Sequence, residues 1–325
     1  MSDVWQHRLT CIVFDEAHCI SEWGEDFRPE YKDMGQLRSF FKAPVLALTA
    51  TSTKEVKHDI MTVLQLNDSD TDLITRSANR QNIFIGCQKK KTSEYEEELK
   101  WLIDYLKTNG KNSKKIIIYC RSIDTVSEIF ITLKESLGKH AYIDQVEIVE
   151  NLMVEMYHKF THDSSKQRIL NDFSKSDSSI RCLVATVALG MGLDIKDIDM
   201  IIHIGCPKSV ISYWQEAGRC ARDGRQGYSL ILYDNFTASL KSTNKNMSGI
   251  VKNVENKCLR QMILDYFTVS GKEDLKHDKC QGCESSRCQC NLCQCCSVCH
   301  GKCPCADKEA SNNHAEIFLS QEEQT

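Results

Sequence analysis

A parallel α/β fold with a small Cys-rich helical appendage is what this 325-residue chain predicts, on three observations. Short apolar runs rich in β-branched residues alternate with amphipathic stretches over residues 10–240. The chain is 41% hydrophobic and 26% charged, a globular balance, and long enough to bury two ordinary cores. Ten of the 18 cysteines crowd into residues 280–305, while the other eight are scattered singly before them. The scattered ones on predicted strands (Cys11, Cys120, Cys182) read as small buried apolar residues. The crowded ones need another explanation. With no apolar secretory segment in MSDVWQHRLT, metal binding is favoured there over a disulfide framework.

Strands are predicted at 10–14, 45–49, 115–120, 182–185, 200–204 and 229–233, and helices at 53–64, 95–107, 123–137, 165–173 and 210–221. The polar stretch 77–91, ending in three lysines, reads as the linker between two α/β units. One helix is expected over 249–267, and the polar, acidic residues after Asp307 read as disordered. The expected domains are therefore 1–78, 79–246, 247–305 and a tail, 306–325. No run of about 18 apolar residues is present, which argues against a membrane-spanning helix. The net charge of −4 argues against a wholly basic nucleic-acid binder but leaves room for a local basic groove. The expected location is intracellular, in the nucleus.

Residues 13–18 read VFDEAH at the end of an apolar run. Two adjacent carboxylates at a strand end suit one half of a nucleotide-hydrolysing site. Asp15 would hold Mg²⁺ through its water shell, and Glu16 would polarise the attacking water. Solvated carboxylates at a strand end are common, so the context decides. The other half, a G-x-x-x-x-G-K-[ST] loop cradling phosphates, does not occur in the sequence: Gly110-Lys111 is followed by Asn112 and Gly138-Lys139 by His140. The expectation is a chain that starts within its first domain and is inactive as it stands. Thr49 and Thr51, at the end of the next strand, suit a hydrogen-bonded relay with His18, because hydroxyl and imidazole groups can exchange donor and acceptor roles.

Further along lies CISEWGEDFRPEY, residues 19–31. Trp23, Phe27 and Tyr31 have helical spacing, but Gly24 and Pro29 favour a loop, where exposed rings beside Arg28 could stack on bases and touch phosphate. Residues 184–194 (VATVALGMGLD) read as a strand followed by a Gly-containing turn. Residues 213–224 (YWQEAGRCARDG) place Arg219 and Arg222 three apart, so that on a helix both guanidinium groups would leave one face.

Together these segments resemble the RecQ family of DNA helicases over residues 8–290. DEAH-CIS-x-WG-x-DFRP-x-Y resembles that family's second motif and aromatic-rich loop, KIIIYCRS (115–122) the strand opening its second RecA-like domain, and 184–194 and 213–224 its fifth and sixth motifs. The resemblance implies a partial RecA-like domain, a complete second RecA-like domain, and a small helical zinc-binding subdomain. It implies 3′-to-5′ DNA unwinding driven by ATP and Mg²⁺, with roles in DNA repair and recombination. Single-stranded and duplex DNA would be the partners, with no membrane. Catalysis would fall to Asp15, Glu16, Arg219 and Arg222, and coupling to His18, Thr49, Thr51 and Gln215. Asp194 would face the nucleotide, and Trp23, Phe27, Arg28 and Thr186 would meet DNA. Zn²⁺ would be held by Cys258, Cys280 and Cys283, with Cys288 standing in where the family has a closer Cys and this chain has Ser286.

Two departures stand out. Glu25 replaces the family's usual His, and a carboxylate cannot donate a proton and repels phosphate. The family's G-R-A-G-R-D-G is here G-R-Cys220-Ala221-R-D-G. If this stretch is helical, Ala in place of Gly favours it by about 0.5–1 kcal/mol. Two competing readings remain: an RNA helicase of the DEAH class, which the aromatic loop and Cys258 pattern disfavour, and a catalytically inert DNA- or zinc-binding module derived from a helicase.

Overall fold

The computed structural model describes residues 8–22, 34–36, 40–190, 195–267, 275, 290–304 and 315. The chain divides into two compact units, one of residues 1–79 with 263–275, the other of residues 80–262 with 276–325. Trp23, Glu25, Phe27, Arg28, Asp194, Cys280, Cys283 and Cys288 lie outside the described residues.

In the first unit, β1 (Ile12–Phe14) pairs in parallel with β2 (Val45–Ala47), Val13 opposite Leu46. The helix Lys54–Val63 follows β2, its amino end closed by Thr53, whose side chain accepts from the amide of Val56. That bond satisfies one of the donors that a helix start leaves orphaned. Phe14, Ala17, Ile20, Val56, Ile60 and Leu64 are buried, and Ser21 Oγ donates to Asp59 Oδ2 at 2.5 Å, tying the short helix Cys19–Glu22 to the longer one. Val13 and Leu46 nevertheless remain 54% and 46% exposed, since a two-stranded sheet covers little of its own surface.

The second unit is built on a six-stranded, wholly parallel sheet. Its strands are β3 (Ile83–Lys89), β4 (Lys115–Cys120), β5 (Val154–Tyr157), β6 (Cys182–Ala185), β7 (Ile198–Ile204) and β8 (Gly227–Tyr233), in the order β3-β8-β7-β4-β6-β5. Every residue of β4, β6 and β7 is buried, as expected when helices cover both faces of a parallel sheet. The helix Ile123–Leu137 is capped by Ser122 and buries Val126, Ile129, Leu133 and Leu137, a one-sided apolar stripe, against the sheet.

Three expectations are corrected. The stretch 77–91 is not a linker throughout: residues 83–89 form β3, paired with β8 along its whole length from Ile83–Gly227 to Lys89–Tyr233. Its polar flanks masked a run, Ile83-Phe84-Ile85, that the sheet buries. The strand β5 was not anticipated, because VEMY lacks β-branched density. The single helix over 249–267 is two, Lys245–Lys252 and Leu259–Phe267, broken where Asn253 and Asn256 adopt positive φ of 33° and 51°. Asn tolerates the left-handed region better than most residues, so it ends helices readily. Among the described residues no helix is long and apolar enough to cross a membrane.

Candidate nucleotide and metal sites

In the first unit β1 delivers Asp15 and Glu16 to an exposed turn. Asp15 Oδ1 accepts from the Glu16 amide at 2.9 Å, and Glu16 sits at φ 50°, unusual for a residue with a Cβ. His18 is buried two residues on. Its Nδ1 lies 3.1 Å from Thr49 Oγ1 and 3.3 Å from Glu16 Oε2. Thr49 Oγ1 donates to the carbonyl of Thr51 at 2.9 Å and accepts from the Thr51 amide at 3.2 Å. With the hydroxyl proton committed to Thr51, the His18–Thr49 contact requires a proton on Nδ1. A chain of polar contacts thus runs from Glu16 through His18 and Thr49 to the backbone of Thr51. Burial pushes the His18 pKa below its ordinary value, against the opposing pull of Glu16 and Asp15.

The second unit carries the arginine pair, but not on a helix. The helix Val210–Ala217 opens with a capping box between Ser209 and Ser212 and stops at Gly218. Residues 218–224 form a tight turn in which Ala221 takes φ 45°. The expected helical face with Arg219 and Arg222 side by side is therefore replaced by a turn, Arg219 half-buried and Arg222 exposed. The sign of the Ala-for-Gly effect reverses with it: Ala in the left-handed region costs about 1 kcal/mol relative to Gly. The turn persists because its backbone is gripped. Arg80 donates from Nη1 to Gly218 O at 2.8 Å and from Nη2 to Cys220 O and Ala221 O at 3.0 and 3.1 Å. Asn82 Nδ2 donates to Ala221 O at 3.0 Å and Arg225 O at 2.7 Å, and the Ala221 amide donates to Ile198 O at 2.7 Å. Close approach at the start of β8 needs Gly227, where a Cβ would fall 2.6 Å from Cys220 Sγ.

A buried polar cluster backs the same helix. His203 Nε2 lies 2.7 Å from Glu216 Oε2, the His203 ring stacks on Tyr119 at 5.5 Å, and Tyr213 Oη pairs with Ser229 Oγ at 3.1 Å. Burial raises the Tyr119 pKa, against the pull of Arg219 and then, more weakly, of Arg222. Gln215 lies on this helix, half-buried. Thr186 follows the end of β6, its amide donating to Tyr157 O at 3.2 Å; the turn holding Arg219 is anchored instead where β7 and β8 begin. The fold does not bring those two predicted residues to one strand end.

Among the described residues Cys258 lies beside Cys295, Cys296 and Cys299, its predicted partners Cys280, Cys283 and Cys288 lying outside them. Its Sγ lies 3.5 Å from Cys295 Sγ and 4.0 Å from Cys296 Sγ, and the sulfurs of Cys258, Cys295, Cys296 and Cys299 all fall within 4.8 Å of one another. A tetrahedron with Zn–S bonds of about 2.3 Å has edges of about 3.8 Å, so the donor set fits Zn²⁺. Its electrostatics agree. Four thiolates packed this closely would repel one another, so ionising all four needs a cation. This module docks on the edge strand β3. The Ile85 amide donates to Cys295 O at 3.3 Å, and buried Arg260 donates to Arg80 O at 2.7 Å, to Ile83 O and to Cys295 O at 3.1 Å.

Residues 97–224 match the helicase conserved C-terminal domain, and residues 2–59 match the DEAD/DEAH box helicase family. The chain is 34% identical over 277 residues to the ATP-dependent DNA helicase hus2/rqh1 of Schizosaccharomyces pombe, covering 80% of the chain and 19% of that protein. It is 30% identical over 313 residues to the RecQ-like DNA helicase BLM of Xenopus laevis, covering 90% of the chain and 21% of that protein. The chain belongs to the RecQ-like helicase family. It spans about a fifth of the length of these two relatives. Among solved structures, Saccharomyces cerevisiae Dbp5 bound to RNA and ADP BeF3 superposes with a TM-score of 0.54 at 17% identity, covering 81% of the chain and 58% of Dbp5, a likeness of RecA-like fold.

For a RecQ-like chain, the motif residues were readable and their supports were not. Arg80 and Asn82 were read as linker, His203 as part of an apolar strand, and Glu216 as one letter of a motif. The one available signal was charge in odd places: Arg80 and Asn82 directly before an apolar run, and a lone His within MIIHI.

Proposed function

We propose that the chain is the motor portion of an ATP-dependent 3′-to-5′ DNA helicase, coupling ATP hydrolysis to movement along single-stranded DNA and to duplex unwinding in the nucleus. Support comes from relatives named as DNA helicases and, above all, from the contact chain Glu16–His18–Thr49–Thr51, which ties a catalytic carboxylate to the rest of its unit. In this reading Asp15 holds the Mg²⁺ shell and Glu16 takes the proton from attacking water. Arg219 and Arg222 meet charge developing on the γ-phosphate, and Asp194 faces the nucleotide. His18, Thr49, Thr51 and Gln215 relay the nucleotide state, while Trp23, Phe27, Arg28 and Thr186 contact DNA. Zn²⁺ at Cys258, Cys295, Cys296 and Cys299 would cross-link the subdomain; Cys280, Cys283 and Cys288 remain candidate ligands from the sequence pattern.

A second reading, an inert DNA- or zinc-binding module, is favoured by one fact: these 325 residues contain no phosphate-cradling loop motif. One experiment separates the two. The chain alone should release phosphate from ATP, Mg²⁺ and single-stranded DNA no faster than its Glu16→Gln variant. The chain joined to the phosphate-loop segment of a RecQ-like relative should hydrolyse ATP with DNA stimulation, and Glu16→Gln should abolish it. If the joined chain binds DNA but hydrolyses nothing, the binding-module reading replaces the motor.

A further inference from the structure

Next to the Cys258 cluster lies a second group of sulfurs that none of the motif residues uses. Cys290, Cys293 and Cys303 bring their Sγ atoms within 4.8 Å of one another, with Cys290 and Cys303 3.7 Å apart. Cys293 and Cys303 are buried and Cys290 is half-buried. The spacing C-x₂-C at 290–293 is that of a metal knuckle. The local hydrogen bonding matches it: the Cys293 amide donates to Cys290 Sγ at 3.3 Å, just as the Gln261 amide donates to Cys258 Sγ at 3.5 Å in the first cluster. An amide aimed at a sulfur stabilises the thiolate rather than the thiol. The 3.7 Å separation agrees with the edge of about 3.8 Å in a tetrahedral zinc–thiolate site and is far from a bonded disulfide.

We propose that Cys290, Cys293 and Cys303 hold a second Zn²⁺, distinct from the one at Cys258, Cys295, Cys296 and Cys299. The two ligand sets interleave along the chain. Cys290 and Cys293 precede, and Cys303 follows, the three first-site ligands Cys295, Cys296 and Cys299. The second ion therefore closes the segment that presents those three thiolates. Loop closure done by one metal is no longer demanded of the other, so the second site preorganises the first. The helix Ser297–Gly301 gives the arrangement a rigid strut: the Cys303 amide donates to His300 O at 2.9 Å and the Lys302 amide to Cys299 O at 3.1 Å, locking the two sites' ligands into one turn.

Zinc content of the reduced, freshly purified full chain tests this independently of any helicase activity, by elemental analysis and native mass spectrometry. Two Zn²⁺ per chain are expected, falling to one in Cys290→Ser/Cys303→Ser and to one in Cys258→Ser. Cys303→His, which keeps a zinc ligand, should retain two and so separate ligation from misfolding. In Cys290→Ser/Cys303→Ser the remaining ion should pass to a chelator about 10-fold faster than in the parent. A single Zn²⁺ in the parent, or two in Cys290→Ser/Cys303→Ser, overturns the proposal.

Discussion

The two units solve one problem with unequal means. In the second, six parallel strands lie under helices on both faces, and β4, β6 and β7 are buried along their full length. In the first, two three-residue strands lead to the exposed pair Asp15 and Glu16 while Val13 and Leu46 stay about half exposed. Predicted site residues sit on turns in both, and among the described residues Arg80, Asn82 and the start of β7 grip the turn of the second unit from several sides. In the first, the turn is held by the Ala17 amide on Leu48 O at 2.8 Å and the Cys19 amide on Glu16 O at 2.9 Å, with buried His18 against the Glu16 carboxylate. The difference teaches that the turn bearing Arg219 is fixed by side chains from elsewhere in its unit, whereas the turn bearing Glu16 is held by its own strand pair and the His18–Thr49 contact.

Hydrogen exchange should expose this contrast most strongly. Amides of 12–14 and 45–47 should exchange on the order of 100-fold faster than those of 116–119 and 200–204, because opening a small sheet exposes little apolar surface. Equal protection in both units would break the comparison. Within the second unit, Glu216→Ala removes the partner of buried His203 and should lower its unfolding free energy by about 3 kcal/mol, read by urea denaturation. A loss below about 0.5 kcal/mol would mean that the pair is a bystander.

How far the sequence foretold all this depended on whether a residue acts through its neighbours in the chain or through distant ones. Strands 115–120 and 182–185 and the helix 123–137 were legible to the residue, since period and capping are local signals. The β3 strand was not, because its apolar start is bracketed by Asn82 and Lys89, whose partners lie over 130 residues away for Asn82 and on the aligned β8 for the strand. The arginine turn misled for a different reason. Helical spacing of Arg219 and Arg222 is real, but Gly218 and the grip of Arg80 end the helix first. The described neighbours of Cys258 were hidden because ten closely spaced cysteines allow many registers, and the docking of Cys295 on Ile85 favours one of them.

Smaller effects sharpen the same picture. Ala221→Gly relieves a left-handed alanine and should stabilise the second unit by about 1 kcal/mol, a direction opposite to that expected of a helix interior. Destabilisation would restore the helical reading. Acid should act on the first unit. The folded-state pKa of His18 lies below its unfolded value, so the stability it contributes is present above about pH 6.5 and lost as pH falls through the folded pKa. His18→Gln should flatten that part of the pH–stability profile; an unchanged slope would assign the titration elsewhere.

The most direct test of the account is turnover by the chain joined to a relative's phosphate-loop segment, with single-stranded DNA saturating. Arg219→Ala and Arg222→Ala should retain ATP binding, and at least one should lower kcat by on the order of 10³, the scale of an arginine acting on the transferring phosphoryl group. Normal kcat in both variants would contradict the account and leave the gripped turn a structural element of the second unit.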